Sequence, residues 1–223
     1  MKTNFKLFLG TAFLAVVFAM SSCSNTPKGD EAEVTNEQKV DSTTGNDISI
    51  NTETSQIVFI GNGVGKNHPG QFKLTSGNLM VDNGSITGGS FVIDIKSLAL
   101  SQKEEMFQAK LLPHMLSADF FDAEKFPNAK FEITSVEAFT PTAKDSSVIA
   151  DANYKVSGNL TLKDVTKNIS FPAKIETSNN TYSAIAKFNI DRTLWGLSYG
   201  NDKSLKDKFI SETVNISLDI KSK

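Results

Sequence analysis

The side chains able to do chemistry are few and widely spaced. The 223 residues include one cysteine, Cys23, two histidines, His68 and His114, and one tryptophan, Trp195. A single thiol excludes an internal disulfide framework and a thiolate zinc cage, and two imidazoles cannot complete a three-histidine metal site. Asp119 and Asp122 have the spacing of paired carboxylates, but Phe120 and Phe121 between them read as a docking face with the acids turned to water. Gly61-Asn62-Gly63-Val64-Gly65 has the glycine density of a phosphate-cradling loop, yet no helical pattern follows it and Lys66 stands outside a Walker arrangement. No G-x-S-x-G elbow presents a serine nucleophile. Catalysis has no support here, and the expectation is that the protein is not an enzyme and needs no cofactor.

The polar residues left to weigh are candidates for holding a ligand's head. Arg192 follows Asp191 at a strand end, where a guanidinium could meet a phosphate or carboxylate, with Trp195 covering the opening. The competing reading pairs Arg192 with a local carboxylate and puts Trp195 in the core. His68, beside Pro69 and Gly70, could hydrogen-bond a ligand head or serve only its turn. Arg192 with His68 is the one pair on which an enzymatic alternative would rest. His114 follows Pro113 at a helix end, where positive charge is favoured, and is assigned no site.

These residues must be positioned by strands, because from residue 48 the dominant apolar period is two. Ser55 to Ile60, Phe72 to Leu74 and Leu79 to Asp82 read as strands, with a turn at Ser76-Gly77-Asn78 and a hairpin at Asn83-Gly84, a pair that accepts positive φ. Ser90 to Lys96 puts Phe91, Ile93 and Ile95 on one face. Ala129 to Phe139, Tyr154 to Leu162, Asn168 to Glu176, Tyr182 to Ile190 and Phe209 to Ile220 continue the series, for about eight strands. Short connections rich in Gly, Asn, Asp and Ser favour an antiparallel meander. Gln102 to Leu112 breaks the pattern as a helix of about three turns ended by Pro113. An all-β fold with a small helical insertion follows: an antiparallel sheet of about eight strands, closed into a cup with a helical flap.

Twelve of the 16 phenylalanines lie in this domain, the other four in the first 20 residues. Phe or Ile recurs at alternate positions: Phe131 with Ile133, Ile169 with Phe171, Phe188 with Ile190. Such a pattern suits a filled core, and it equally suits a tunnel for an extended apolar molecule. Both readings stay open on periodicity alone. In the first, the protein is a structural or interaction barrel that binds another envelope protein.

The N-terminal 47 residues have a different character. Lys2 and Lys6 precede the apolar run Leu7 to Met20, a secretory signal layout. Its 14 residues span about 21 Å as a helix, short of a hydrocarbon core of about 30 Å. Ser21 and Ser22 before Cys23 resemble a bacterial lipobox, so residues 1–22 are expected to be removed and Cys23 lipidated. Ser24 to Asp47 holds only Ala32, Val34 and Val40 as apolar residues among six acids, and reads as a flexible acidic tether spanning roughly 25–30 Å. The chain as a whole has 23 basic and 25 acidic side chains. Without Lys2 and Lys6 the excess of four acids equals that of the tether, which leaves residues 48–223 about neutral. Nucleic-acid binding is therefore excluded as an expectation.

Six segments taken in order resemble the YceI-like, polyisoprenoid-binding family: Ser55-Gln56-Ile57-Val58-Phe59; His68-Pro69-Gly70-Gln71-Phe72; Ser117 to Asp122 with Phe126 to Phe131; Val156 to Leu162; Val165-Thr166 with Ser170-Phe171-Pro172; and Asp191 to Gly196. The resemblance covers nearly all of Thr54 to Leu218. The glycine-rich stretch Gly61 to Gly65 and the lipobox depart from common members. The resemblance implies a lipocalin-like barrel, residues 48–223, that encloses a long isoprenoid or similar amphiphile, a polyprenyl phosphate or a quinone-like lipid, for carriage or storage. The wall would include Phe72, Phe91, Ile93, Phe131, Ile133, Phe171, Phe188 and Ile190, with His68, Arg192 and Trp195 near the head. The expected place is the cell envelope, anchored by Cys23, at the outer membrane facing periplasm or cell surface; the oligomeric state stays open, a dimer included.

Cells fed labelled palmitate are expected to yield a labelled protein, and Cys23→Ala or globomycin treatment to abolish the label. A wild-type protein that takes up no palmitate would remove the anchor.

Overall fold

The computed structural model describes residues 27–41, 44–63, 65–142 and 145–223, apart from the side chains of 207 and 208. Cys23 and the apolar run before it lie outside the described residues. In chain order come β1 (Asp30–Glu31), β2 (Glu33–Asn36) and β3 (Asn46–Ser49), followed by β4 (Gln56–Gly63), β5 (Lys66–Asp82), β6 (Ser85–Leu100), β7 (Asn128–Ala138), β8 (Tyr154–Leu162), β9 (Val165–Ser178), β10 (Thr181–Asp191) and β11 (Ile210–Lys221). From β4 to β11 each strand pairs antiparallel with the next, and β11 pairs with β4, so eight strands close into a barrel. Closure removes the free edges that a sheet of this size would otherwise present.

Local chemistry sets the meander. Asn83-Gly84, Lys163-Asp164 and Asn179-Asn180 all have positive φ, from 48° to 80°, which gives three two-residue turns matched to the twist of their strands. The turn expected at Ser76-Gly77-Asn78 does not form. β5 runs unbroken for 17 residues, and its register against β6 shifts between Gln71 and Lys73 and again between Leu74 and Ser76. The extra residues become bulges that bend the strand around the barrel.

The helical insertion is also rearranged. Phe107–Leu111 forms a π-helical segment and Leu112–Leu116 a short α-helix, α1, with Pro113 in its first turn. The helical backbone runs unbroken from Glu105 to Leu116, so Pro113 lies inside the helix that the sequence suggested it ends, directly after the π-helical turn. Met115, Phe120 and Leu197 pack with Phe59, Leu98 and Leu100, fixing the insertion over one end of the barrel. Ile50, Leu79, Val81, Tyr182 and Ile220 close the other end.

The tether expected over 24–47 is corrected in part. β9 and β10 pair directly only between 173–178 and 181–186, and beyond Ala173 and Ala186 they separate. Residues 30–36 fill the gap. β1 lies parallel to β10 at Phe188 and Asn189, and β2 antiparallel to β9 from Lys167 to Ser170. Ala32 and Val34 face the core with Ile169, Phe171 and Phe188, while Glu31, Glu33 and Thr35 face water. Two apolar side chains at alternate positions suffice because the flanking ladders satisfy the backbone. β3 pairs with β5 in the same way.

Buried asparagines clamp this strap at both ends. Asn159, 2 % exposed, accepts from Gln38 N at 3.0 Å, donates to Gln38 O at 2.6 Å and accepts from Asn168 at 3.0 Å. At the other end Asn189 donates to Glu31 at 2.8 Å and accepts from Asn215 at 2.9 Å. Gly29 passes so close that a Cβ would lie 2.4 Å from Asn215 Nδ2, so no larger residue fits without displacement.

Asn159→Ala leaves the Gln38 backbone N–H and C=O without their partner, while Asn168 keeps Thr134 Oγ1 at 3.0 Å. It is expected to lower stability by about 1–3 kcal/mol and to speed amide exchange over 30–38 ahead of the barrel. Unchanged exchange at Ala32 would contradict the clamp.

Candidate functional site

Strand alternation produces an interior that is not filled. A cavity of about 320 Å³ lies inside the barrel, with walls contributed by all eight barrel strands and by the cap. This is within the size of small-ligand sites. The wall is almost wholly apolar: Ile57 and Phe59 from β4, Phe72 and Leu74 from β5, Val156 and Leu160 from β8, Ile216 and Leu218 from β11. Leu111, His114, Met115, Phe120 and Phe121 face it from the capped end. Of the expected wall residues, Phe72, Phe91, Ile93, Phe131, Ile133, Phe171, Phe188 and Ile190 all line it, as do His68 and Arg192.

Two sets of rings keep the space open. Phe91, Phe131, Phe171 and Phe188 form a chain along the wall, with centroids 6.2, 6.1 and 4.0 Å apart and the last pair stacked at 12°. Phe131 reaches Phe171 across β8 because residue 158 is glycine, where a Cβ would lie 2.3 Å from the Phe131 ring. The second set is Phe59, Phe72, Phe121 and Phe120, with centroids 5.2 to 5.5 Å apart beneath the cap. Rings held edge-on or stacked against one another stay on the wall instead of collapsing across the middle.

Arg192 does not present a free guanidinium to a ligand. It is 2 % exposed and donates to four backbone carbonyls. Nε reaches Ser211 O at 2.9 Å, Nη2 reaches Tyr199 O and Ile210 O at 3.0 Å, and Nη1 bonds Leu197 O. Its Cζ lies 5.4 Å from the Phe120 ring centroid. Burial lowers its pKa from the ordinary value, opposed by Asp191 and Glu212. The expected local carboxylate partner is replaced by carbonyls, since Asp191 turns to Thr193 N and Oγ1 at 2.8 and 2.6 Å. Arg192 is thus the tie that holds segment 197–200 and the start of β11 to the end of β10.

Trp195 does not cover an opening. It is fully buried, off the cavity wall, and donates from Nε1 to Leu160 O at 2.9 Å in the core behind the strap. His68 lines the cavity with Nδ1 2.9 Å from Gln102 Oε1 and its ring 5.3 Å from that of Phe107. His68 and Arg192 are engaged with different partners, so the pair weighed for an enzymatic reading is not assembled by any contact between them. Asp119 is exposed. Among the described residues no three His, Cys, Asp or Glu side chains gather where they could share a metal ion, and no helix is long and apolar enough to cross a membrane.

Two wall residues were not singled out as ligand contacts from the sequence. Asn62 and His114 both line the cavity. Asn62 sits in the glycine-rich stretch that was weighed only for phosphate. A lone polar residue between two glycines at a strand end was the available signal.

Arg192→Lys keeps the charge but not the planar fork, leaving buried carbonyls without donors. A loss of about 2–4 kcal/mol in denaturant unfolding is expected, larger than for most surface changes. An unchanged midpoint would show that the four carbonyl contacts do not hold segment 197–200 to the barrel.

The fold and the sequence both have relatives. A family model described as YceI-like domain matches residues 49–222. UPF0312 protein of Pseudomonas putida strain F1 is 33 % identical over 104 residues, 47 % of each chain. The chain therefore spans about half the length of the curated relatives it matches. The crystal structure of Burkholderia cenocepacia BcnA superimposes with a TM-score of 0.60 at 18 % identity, covering 78 % of this chain and 99 % of that one. A polyisoprenoid binding domain from Saccharophagus degradans, implicated in plant cell wall breakdown, gives 0.57 at 15 % identity, covering 78 % and 97 %. A mutant Campylobacter jejuni YCEI protein gives 0.52 at 19 % identity, covering 69 % and 84 %. At these identities the structures establish a shared fold, and the match across 49–222 shows that the chain belongs to the YceI-like family.

Proposed function

We propose that this protein is an envelope carrier whose barrel holds a long apolar molecule of the isoprenoid class. One observation carries the reading: the strands close around an apolar space of about 320 Å³ rather than a solid core. Each CH₂ moved from water into such a space contributes about 0.8 kcal/mol, so a dozen buried groups supply on the order of 10 kcal/mol before the costs of binding. No charged contact is needed for that affinity. Phe72, Phe91, Ile93, Phe131, Ile133, Phe171, Phe188 and Ile190 would touch the chain, with His68 nearer the head. The polyisoprenoid binding domain that shares the fold supports the ligand class.

In this reading residues 1–22 direct export, Cys23 carries the lipid, and the barrel works beside a membrane, at the outer membrane's periplasmic face or the cell surface. The carriage is non-covalent, and release follows from loosening the cap. The rival reading, an interaction barrel with a filled interior, is disfavoured by the cavity itself.

Protein purified from native envelopes and extracted with organic solvent is expected to release an isoprenoid lipid by mass spectrometry, and a prenol to displace a hydrophobic dye from the emptied barrel. Repeated preparations that contain no lipid, together with a dye that prenols do not displace, would overturn the carrier function.

A further inference from the structure

Seven large apolar side chains are exposed among the described residues, and four of them stand at the capped end: Met106, Leu194, Tyr199 and Leu205, each 40–53 % exposed. Leu194, Tyr199 and Leu205 belong to segment 192–209, which joins the end of β10 to the start of β11. Arg192 holds Tyr199 O at 3.0 Å, and Ile210 N donates to Gly200 O at 2.7 Å. The segment is thus fastened to the barrel rim by its backbone, with these apolar side chains left outside. The Tyr199 ring lies 4.5 Å from that of His114, which packs the segment against α1. Met106 is in the first turn of the cap, whose Leu111 and Met115 face the cavity. The cap therefore stands between an apolar interior and an apolar outer rim. Exposed apolar groups scattered singly need no partner, but a set gathered over the end of a ligand-sized cavity marks a docking face.

Charge on this face is nearly balanced. Exposed Lys103 and Lys110 accompany Glu104 and Glu105, and Lys203 and Lys206 accompany Asp202. Neither an acidic nor a basic partner is selected. Aliphatic side chains beside a tyrosine suit the boundary of a bilayer, where apolar groups enter and polar ones stay in water.

The path of the chain points to the same occupant. Gly29 lies against Phe188, Asn189 and Asn215, and Cys23 is six residues before it, a span of at most about 21 Å. Along β10, Asn189 is two residues from the capped end at Asp191, roughly 7 Å, and eight from the opposite end at Thr181, roughly 26 Å. A strand tilt of about 40° makes these heights of roughly 5 and 20 Å. A lipidated Cys23 reaches a bilayer that touches the capped end with length to spare, even across a helix of about 10 Å diameter. It reaches one that touches the opposite end only with all six residues drawn straight.

We propose that the capped end docks on a lipid bilayer, with Met106, Leu194, Tyr199 and Leu205 entering its boundary, and that apolar cargo crosses the cap there without passing through water. The inference rests on the carrier reading and its anchor, and adds the face that meets the membrane.

Because Cys23 is the sole thiol, the chain from Cys23 onward can be coupled to a maleimide lipid in phosphatidylcholine vesicles. Tyr199→Trp and Leu205→Trp are expected to lose their added emission when the lipid is dibrominated. Ile185→Trp, farther down β10, and the wild type, whose only tryptophan is the buried Trp195, are expected to keep theirs. Leu194→Ser with Leu205→Ser should slow transfer of a fluorescent prenol from vesicle to barrel about tenfold, the effect of withdrawing one or two apolar side chains. The amount bound at equilibrium should not change, since neither residue lines the cavity. Quenching of Ile185→Trp instead, quenching of none of the three, or an unchanged transfer rate would overturn the docking face and leave carriage standing. A dimer in solution that the double serine variant dissolves, with no quenching, would give the face to a second copy and overturn it likewise. Prenol that enters no form of the barrel would count against carriage, whereas quenching reads the docking face separately. Two reporters on one segment keep the result readable if either variant folds poorly.

Discussion

The structure depends on closing a ring of backbone hydrogen bonds around a space that side chains leave open. Seven of the eight junctions are made by neighbouring barrel strands along most of their overlap. The eighth, between β9 and β10, is direct for only half its length and is completed by residues 30–36. Without that third strand the N–H and C=O groups of both edges would face water or one another. Inward-facing Phe171 and Phe188, stacked at 4.0 Å, would lose the cover of Ala32 and Val34. The ring arrangement on the wall is therefore coupled to a segment outside the family's boundaries.

Holding a cavity open requires that the wall be stiffer than the pull to fill it. Glycine at 158 lets one ring lie over a strand and brace the next, and glycine at 70 does the same for Phe59, whose ring would lie 2.6 Å from a Cβ there. Arg192 contributes from the other side. By gathering four carbonyls from two segments it fixes residues 197–200 and the start of β11 through the backbone, with its guanidinium against the Phe120 ring of the cap. A side chain read from sequence as a ligand contact thus serves the enclosure.

Much of the barrel was legible because its signals are local. Tyr154 to Leu162 was bounded as observed, and Asn83-Gly84 turned as its φ preferences require. Alternation also put Phe131 with Ile133, and Phe188 with Ile190, on one face of their strands, the inner one. Non-local features were not legible. Bulges in β5 leave no mark on a period-two pattern, so a bent strand resembled two strands and a turn. Ala32 and Val34 are too few to signal a strand among acids until the gap that receives them is known. Arg192 bonds to carbonyls, which every residue has, so no spacing in the sequence could reveal its partners. Pro113 reads as a helix end, but nothing in the composition reveals the π-helical turn before it, through which the helix continues.

The strap also bears on where the folding unit begins. The family match starts at residue 49, whereas the hydrogen-bonded ring draws on residues 30–36. A chain trimmed to the conventional limits would carry two bare, adjacent strand edges beside greasy side chains. That is the geometry through which separate molecules exchange strands or stack into aggregates. The acids at 31 and 33, set on the outer face of the inserted strand, then have a second use as gatekeepers, keeping the completed seam from recruiting a neighbour.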